Sequence, residues 1–253
     1  RLVITFQDYR HPDLPPLTLA ARRAMRGILD RAHRVTAVSR FLARTIARDF
    51  PLAANKLVVI PNGTDIPPAA KASPPPGLDS YILTVGRSAP YKGLDLLLFG
   101  YAKAVEKGCT AGLVACGTDG CGHLRELAGK LGIGGRVTFK GVVSPGKISR
   151  LMRGCLFYAT TPRWESFGMA ALEAMAAGKA VLAAKTGGLP EFSMNGRNAV
   201  LVTPKNVKSI SSGILRLWSD GRLREALGRK AAATALHYSW KKIAAEYLKS
   251  AYS

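Results

Sequence analysis

Two carboxylates, Glu165 and Glu173, stand eight positions apart in the stretch Arg163-Trp-Glu-Ser-Phe-Gly-Met-Ala-Ala-Leu-Glu-Ala-Met-Ala-Ala-Gly178. Two cations, Arg87 and Lys92, stand five apart in Val85-Gly86-Arg87-Ser-Ala-Pro-Tyr91-Lys92-Gly93. Carboxylates accept hydrogen bonds from hydroxyl groups, whereas a guanidinium fork and an ammonium point charge together hold phosphate oxygens. Ser166, Phe167 and Gly168 read as the start of a helix that combines a capping hydroxyl with a position lacking Cβ. Such a start attracts anions, because its N–H groups point outward and the macrodipole favours negative charge there. Glu165 falls in the loop before this helix and Glu173 about two turns along it, so both acids reach one ligand lying over the helix start. Each motif by itself also fits a plainer reading: a capped amphipathic helix with solvated acids, or a loop with two solvated cations.

The elements that must position these residues alternate β-rich runs with helical patterns, which is the signature of parallel sheets with crossover helices. In the first 65 residues the expected strands are Leu2–Phe6, Val35–Val38 and Lys56–Ile60, with a helix over Leu17–Ala32 and a second one capped by Ser39 and running toward Asp49. Ser73-Pro-Pro-Pro-Gly77 reads as a linker, so the domains are expected at 1–73, a linker at 74–78, a second unit at 79–235 and a terminal segment at 236–253. The second unit carries six candidate strands: Tyr81–Val85, Gly112–Cys116, Val137–Phe139, Leu156–Ala159, Ala180–Ala183 and Ala199–Val202. Open sheets of this kind bind ligands beyond the carboxyl ends of their strands, and Gly86, Gly117, Gly141, Thr160 and Lys185 all fall there. Cations for phosphates, N–H groups for anions and carboxylates for hydroxyls at one edge are the three chemistries that a sugar nucleotide presents.

With 253 residues, 47% of them hydrophobic, the chain has material for two modest cores. It contains no run of about 18 apolar residues and no signal-peptide layout, so cytosolic residence is the expectation. Cys109, Cys116, Cys121 and Cys155 show no C-x-x-C pairing and read as reduced thiols. The four histidines are scattered and no Asp-x-Asp occurs, so no metal site is expected. The balance of 37 Lys+Arg against 16 Asp+Glu, a net charge of +21, attracts polyanions or anionic surfaces. Between Ala20 and Arg48 there are eight arginines against one acid, Asp30. The first half of that stretch, with Leu17, Leu19, Met25, Ile28 and Leu29, reads as a basic amphipathic helix suited to an anionic membrane surface or simply solvated. No helix-turn-helix, zinc-finger or aromatic RNP-like pattern accompanies the charge, so nucleic acid is not an expected partner.

Taken in order, these blocks resemble the retaining glycosyltransferases of the GT-B fold, in particular the GT4 group. Val35-Thr-Ala-Val-Ser39 and Val59-Ile-Pro-Asn-Gly63-Thr-Asp65 are similar to the end of that family's first domain, and Val85-Gly-Arg87 with Lys92-Gly93 to its phosphate-binding loop. The Glu165 to Glu173 segment resembles its signature of two glutamates separated by seven residues. Gly187-Gly188-Leu-Pro190-Glu191 and Tyr238-Ser239-Trp240 resemble the loop that follows and the terminal segment that crosses back to the first domain. The resemblance implies a complete C-terminal Rossmann-like domain, the later part of an N-terminal one, and a chain that begins part-way into the usual transferase.

It also implies residue roles. Arg87 and Lys92 would hold the diphosphate of a nucleoside-diphosphate sugar, with Gly86 in the same loop; Glu173 would take the ribose hydroxyls and Glu165 the transferred sugar. Backbone at Phe167, Gly168 and Met169 would hold sugar or phosphate, and the loop Val142-Val143-Ser144 would meet the base. No cofactor or metal is implied, and the acceptor would be a glycan or lipid-linked. Many relatives carry a histidine after the first of these strands; here Gln7 stands there, followed by Asp8, and glutamine cannot titrate near neutrality. A GT-B epimerase or phosphorylase, and a non-catalytic nucleotide-sugar or polyanion-binding module, remain open alternatives.

Overall fold

The computed structural model describes residues 1–9, 15–65 and 79–252. Two parallel sheets form, as the alternating pattern predicts. The smaller has the order β1-β2-β3 and is built from β1 (Val3–Phe6), β2 (Arg34–Ala37) and β3 (Leu57–Val59). Its crossovers are α1 (Leu19–Arg31) and α2 (Arg40–Asp49). The larger sheet holds β4 (Tyr81–Val85), β5 (Gly112–Cys116), β6 (Val137–Lys140), β7 (Phe157–Thr160), β8 (Val181–Ala184) and β9 (Val200–Val202), in the order β6-β5-β4-β7-β8-β9. Its helices are α3 (Leu94–Glu106), α4 (Gly122–Lys130), α5 (Pro145–Gly154), α6 (Met169–Ala176), α7 (Val207–Ser219) and α8 (Gly221–Ala235).

In that order the chain works outward from β4 to β6 and then restarts on the other side at β7. The reversal leaves a crevice beyond the carboxyl ends of β4 and β7, which is where doubly wound sheets bind ligands. Helices cover both faces of the larger sheet, so β5 and β8 are buried along their whole length and read as unbroken apolar runs instead of alternating ones. All four cysteines are free and buried, and burial pushes the Cys116 thiol up to about 11 and the Cys155 thiol up to about 12, which keeps both unreactive.

The last helix, α9 (Trp240–Ser250), leaves the larger unit and packs on the smaller. Ile243 and Ala251 form a small buried cluster with Ile60, and the Thr64 N–H donates to the Tyr238 carbonyl at 2.7 Å. The expected linker at 74–78 lies outside the described residues.

Two expectations need correction. α1 begins at Leu19, because the Thr18 hydroxyl accepts from Ala21 N and caps it there. Its apolar face is also narrower than the composition implied: Leu29 alone is buried, while Leu19 and Ile28 are 65% and 48% exposed.

Candidate functional site

A cleft of about 480 Å³ opens at the crevice between β4 and β7, with the smaller sheet as its opposite wall. The larger unit contributes Gly86, Arg87, Lys92, Glu165, Phe167, Gly168, Met169 and Glu173; Gln7, Asp8 and Asn62 come from the smaller. Eight of the nine residues singled out from the sequence therefore line one cavity. Val143 does not: its side chain packs against the larger core, and its neighbour Val142 is 86% exposed.

The cations are held in place by their surroundings. A short 3-10 turn, Pro90–Lys92, follows Gly86 and presents both charges against the buried ring of Tyr91. Arg87 donates to the Tyr91 hydroxyl at 2.6 Å, and the Lys92 ammonium lies 5.2 Å from the ring centroid. Lys92 Nζ also meets Glu165 Oε2 at 2.8 Å, with both side chains largely withdrawn from water. The turn itself is braced by Arg163, whose guanidinium donates to the Pro90 carbonyl at 2.8 Å and to both Asp95 oxygens at 2.7 and 2.6 Å. Burial opposes ionisation of Asp95, but the hydrogen bonds and charge of Arg163 outweigh it and hold the carboxyl below its usual range. No sequence signal marked the Arg163–Asp95 pair, because its partners lie 68 residues apart.

Ser166 is not a helix cap. α6 begins at Met169 with Gly168 as its N-cap and no side-chain cap bond, and Gly168, Met169 and Ala170 line the cleft, so this uncapped helix start borders it. Gly168 takes φ 107°, a conformation open to glycine, and a Cβ there would approach Leu189 Cδ2 at 2.5 Å. Met169 being the first helical residue, Glu173 lies only about one turn in. Burial raises the Glu173 carboxyl above its ordinary value, because desolvation disfavours the charged form.

The hydroxyl of Ser166 instead reaches across the cleft and donates to Asp8 Oδ1, while the Ser166 carbonyl accepts from the Ser39 hydroxyl at 2.5 Å. Behind it, Gly187 packs so closely on the Glu165 backbone that a Cβ would fall on the Glu165 carbonyl, and Gly188 N donates to that carbonyl at 3.0 Å. The same loop ends in Glu191, whose two oxygens accept from Arg40 N at 2.9 Å and Phe41 N at 2.8 Å at the start of α2. In the sequence Glu191 stands out only within the resembling loop; its partners lie 151 and 150 positions away. Asp8 and Ser39 were likewise seen as a neighbour of Gln7 and as a cap, without the cross-cleft contacts.

Among the described residues no three His, Cys, Asp or Glu side chains converge as metal ligands, and no helix is long and apolar enough to cross a membrane. Two parallel-sheet units facing each other across a cleft, with cations, carboxylates and a free helix start on the larger wall, define a GT-B type protein. The chain belongs to the glycosyl transferases group 1 family, whose model matches residues 65–234; the model for glycosyltransferase family 4 matches residues 1–66.

It is 30% identical over 223 residues to the D-inositol 3-phosphate glycosyltransferase of Rhodococcus opacus, covering 81% of this chain and 50% of that protein. To an uncharacterised glycosyltransferase of Methanocaldococcus jannaschii it is 34% identical over 169 residues, 66% of this chain and 43% of that protein. The crystal structure of Anabaena HepE in complex with UDP and glucose superposes with a TM-score of 0.83 at 25% identity, covering all of this chain and 71% of that one. The chain spans about half the length of the curated relatives it matches.

Proposed function

We propose that the cleft binds a nucleoside-diphosphate sugar and serves transfer of the sugar, with retention and without a metal, to a glycan or lipid-linked acceptor. The observation that carries this reading is the convergence of Arg87, Lys92, Glu165, Glu173 and the uncapped start of α6 on one cavity. Arg87 and Lys92 hold the diphosphate, Glu173 the ribose hydroxyls and Glu165 the sugar. When the bond from C1 to the diphosphate breaks, negative charge grows on the leaving phosphate. Pre-placed cations in a confined cleft stabilise it without reorganising at that moment. The acceptor oxygen attacks from the face the diphosphate leaves, and its proton passes to a leaving phosphate oxygen, so no protein nucleophile is called for.

In the free protein Lys92 is paired with Glu165. A diphosphate competes for that ammonium, so binding frees Glu165 to accept from a sugar hydroxyl. Residues 79–235 act as the donor unit in this reading, 1–73 as part of the acceptor side and 236–253 as the segment joining them. The exposed Arg22, Arg23 and Arg26 of α1, with the exposed Leu19 among them, favour a cytoplasmic protein resting on an anionic membrane surface.

A titration of UDP, GDP and ADP followed by thermal shift tests the donor assignment. A nucleotide at 100 times its Kd stabilises the chain by about 2.7 kcal/mol. Selective binding of one nucleotide that persists at raised salt supports the reading. Equal binding of every polyanion with a steep salt dependence points to charge alone and defeats it.

A further inference from the structure

The loops that follow β4, β5 and β6 meet at one edge of the larger sheet, and Asp119, just beyond β5, is tied to the other two. Ser88, in the loop after β4, donates its hydroxyl to the Asp119 carbonyl at 2.8 Å. Val142, in the loop after β6, donates its N–H to both carboxylate oxygens of Asp119 at 3.2 Å. Beneath these contacts Gly86 N donates to Cys116 O, and Gly117 N to Gly141 O, each at 3.0 Å. A Cβ added at Gly141 would fall on Asp119 Oδ1. The carboxylate thus occupies the space a side chain at 141 would fill.

The segment that Asp119 holds leads into a second cleft, of about 470 Å³, lined by Pro145, Gly146, Ile148 and Ser149 and joined to the donor cleft through Met169 and Glu173. If Glu173 receives the ribose, the nucleobase extends toward residues 142–146. Val142 and Val143 supply no side-chain hydrogen bond there, so beside the Ser144 hydroxyl it falls to the backbone N–H and C=O groups of the loop to meet the base. Bases differ in the pattern of donors and acceptors along their edges. A fixed backbone distinguishes them only while its own position is held.

We propose that Asp119 is a positioning residue for nucleobase selection: it acts through Val142 N and does not touch the donor. This rests on the reading of the cleft as a nucleoside-diphosphate site, and the test separates the two. Calorimetric titrations of the parent chain, Asp119→Ala, Asp119→Asn and Gly141→Ala would use UDP, GDP, ADP and inorganic pyrophosphate. The parent is expected to prefer one base. In Asp119→Ala and Gly141→Ala that preference should shrink about five- to tenfold, the scale of losing one hydrogen bond of ordinary net strength at an exposed site. Pyrophosphate affinity should stay unchanged, since Arg87 and Lys92 are untouched.

Asp119→Asn keeps an oxygen for Val142 N and should retain most of the preference. Gly141→Ala reaches the same contact from the other side, with the carboxylate still present to move aside, and covers the case in which Asp119→Ala misfolds. An unaltered preference in both variants, an equal loss of pyrophosphate affinity, an asparagine variant as impaired as alanine, or a parent without base preference each overturns the proposal. A parent that binds no nucleoside diphosphate overturns the donor reading and this proposal together.

Discussion

Replacing Glu191 by alanine removes an acceptor pair that one unit supplies to the helix start of the other. Arg40 N and Phe41 N lie 2.9 and 2.8 Å from the two carboxylate oxygens, and neither has an intrahelical partner at that position in α2. Losing a side-chain cap costs about 1 kcal/mol, and charge-assisted bonds are worth about 1.5–3 kcal/mol when withdrawn from water. Here Arg40 is exposed and Phe41 half-buried, so water replaces part of the loss. The net cost should be about 1–2 kcal/mol, lowering Tm by about 3–6 °C in a chain of this size. Glu191→Gln keeps one strong acceptor and should recover roughly half of that loss. Hydrogen exchange resolves the site: the amides of Arg40 and Phe41 should exchange about tenfold faster in Glu191→Ala than in the parent. Because Gly188 of the same loop donates to the Glu165 carbonyl, loosening the clamp should also weaken the order of Glu165. Unchanged exchange at Arg40 and Phe41 together with an unchanged Tm would refute the clamp.

Glu173→Gln should gain stability near neutral pH and lose ligand affinity. Burial raises the Glu173 pKa in the folded chain, so its protonated form favours folding below the ordinary carboxylate range, and that contribution disappears as pH rises through the raised value. Thermal melts of parent and variant should therefore coincide in acid and separate toward neutrality with the variant higher, while ribonucleotides bind it less well and 2′,3′-dideoxy analogues bind as before; a constant gap across pH speaks against burial as the cause. Gly168→Ala places a Cβ against Leu189 at a φ of 107°, a strain of about 1–3 kcal/mol, and should lower Tm accordingly; an unshifted melt would show that the helix start yields easily. Arg22→Gln, Arg23→Gln and Arg26→Gln together should reduce binding to anionic vesicles and leave neutral vesicles unbound in both proteins, as counted by sedimentation; equal binding by parent and triple variant assigns the face to solvent.

Much of the sheet was legible because parallel strands buried on both faces are written as short apolar runs. Tyr81–Val85 and Gly112–Cys116 appear with the ends read from sequence, and the remaining strands differ by one residue at one or both ends, gained in some and lost in others. The Gly86 loop and the Glu165 to Glu173 stretch, which the fold brings to one cleft, stand out in the sequence for a related reason: each sets its charged residues a few positions apart. What escaped was either long-range or a matter of competition. Ser166 has a capping side chain, yet its hydroxyl finds a carboxylate on the opposite wall, and no local rule weighs a neighbour 158 residues away. α1 carries an amphipathic pattern whose outer leucine and isoleucine, Leu19 and Ile28, stay exposed. Val143 was assigned by its loop, but of two adjacent valines in that loop one packs inward on the core while the other faces solvent. Alternation of this kind follows from backbone direction, which composition does not encode.

The central claim is that Arg87 and Lys92 hold a diphosphate in the cleft between the two units, and comparing the affinity of a nucleoside diphosphate with that of its monophosphate tests it most directly. For whichever base binds best, the parent should favour the diphosphate at least tenfold, the equivalent of about 1.4 kcal/mol. Arg87→Ala and Lys92→Ala should each erase most of that difference while leaving the monophosphate nearly untouched. A parent that binds mono- and diphosphate alike, or variants that keep the full preference, would contradict the account.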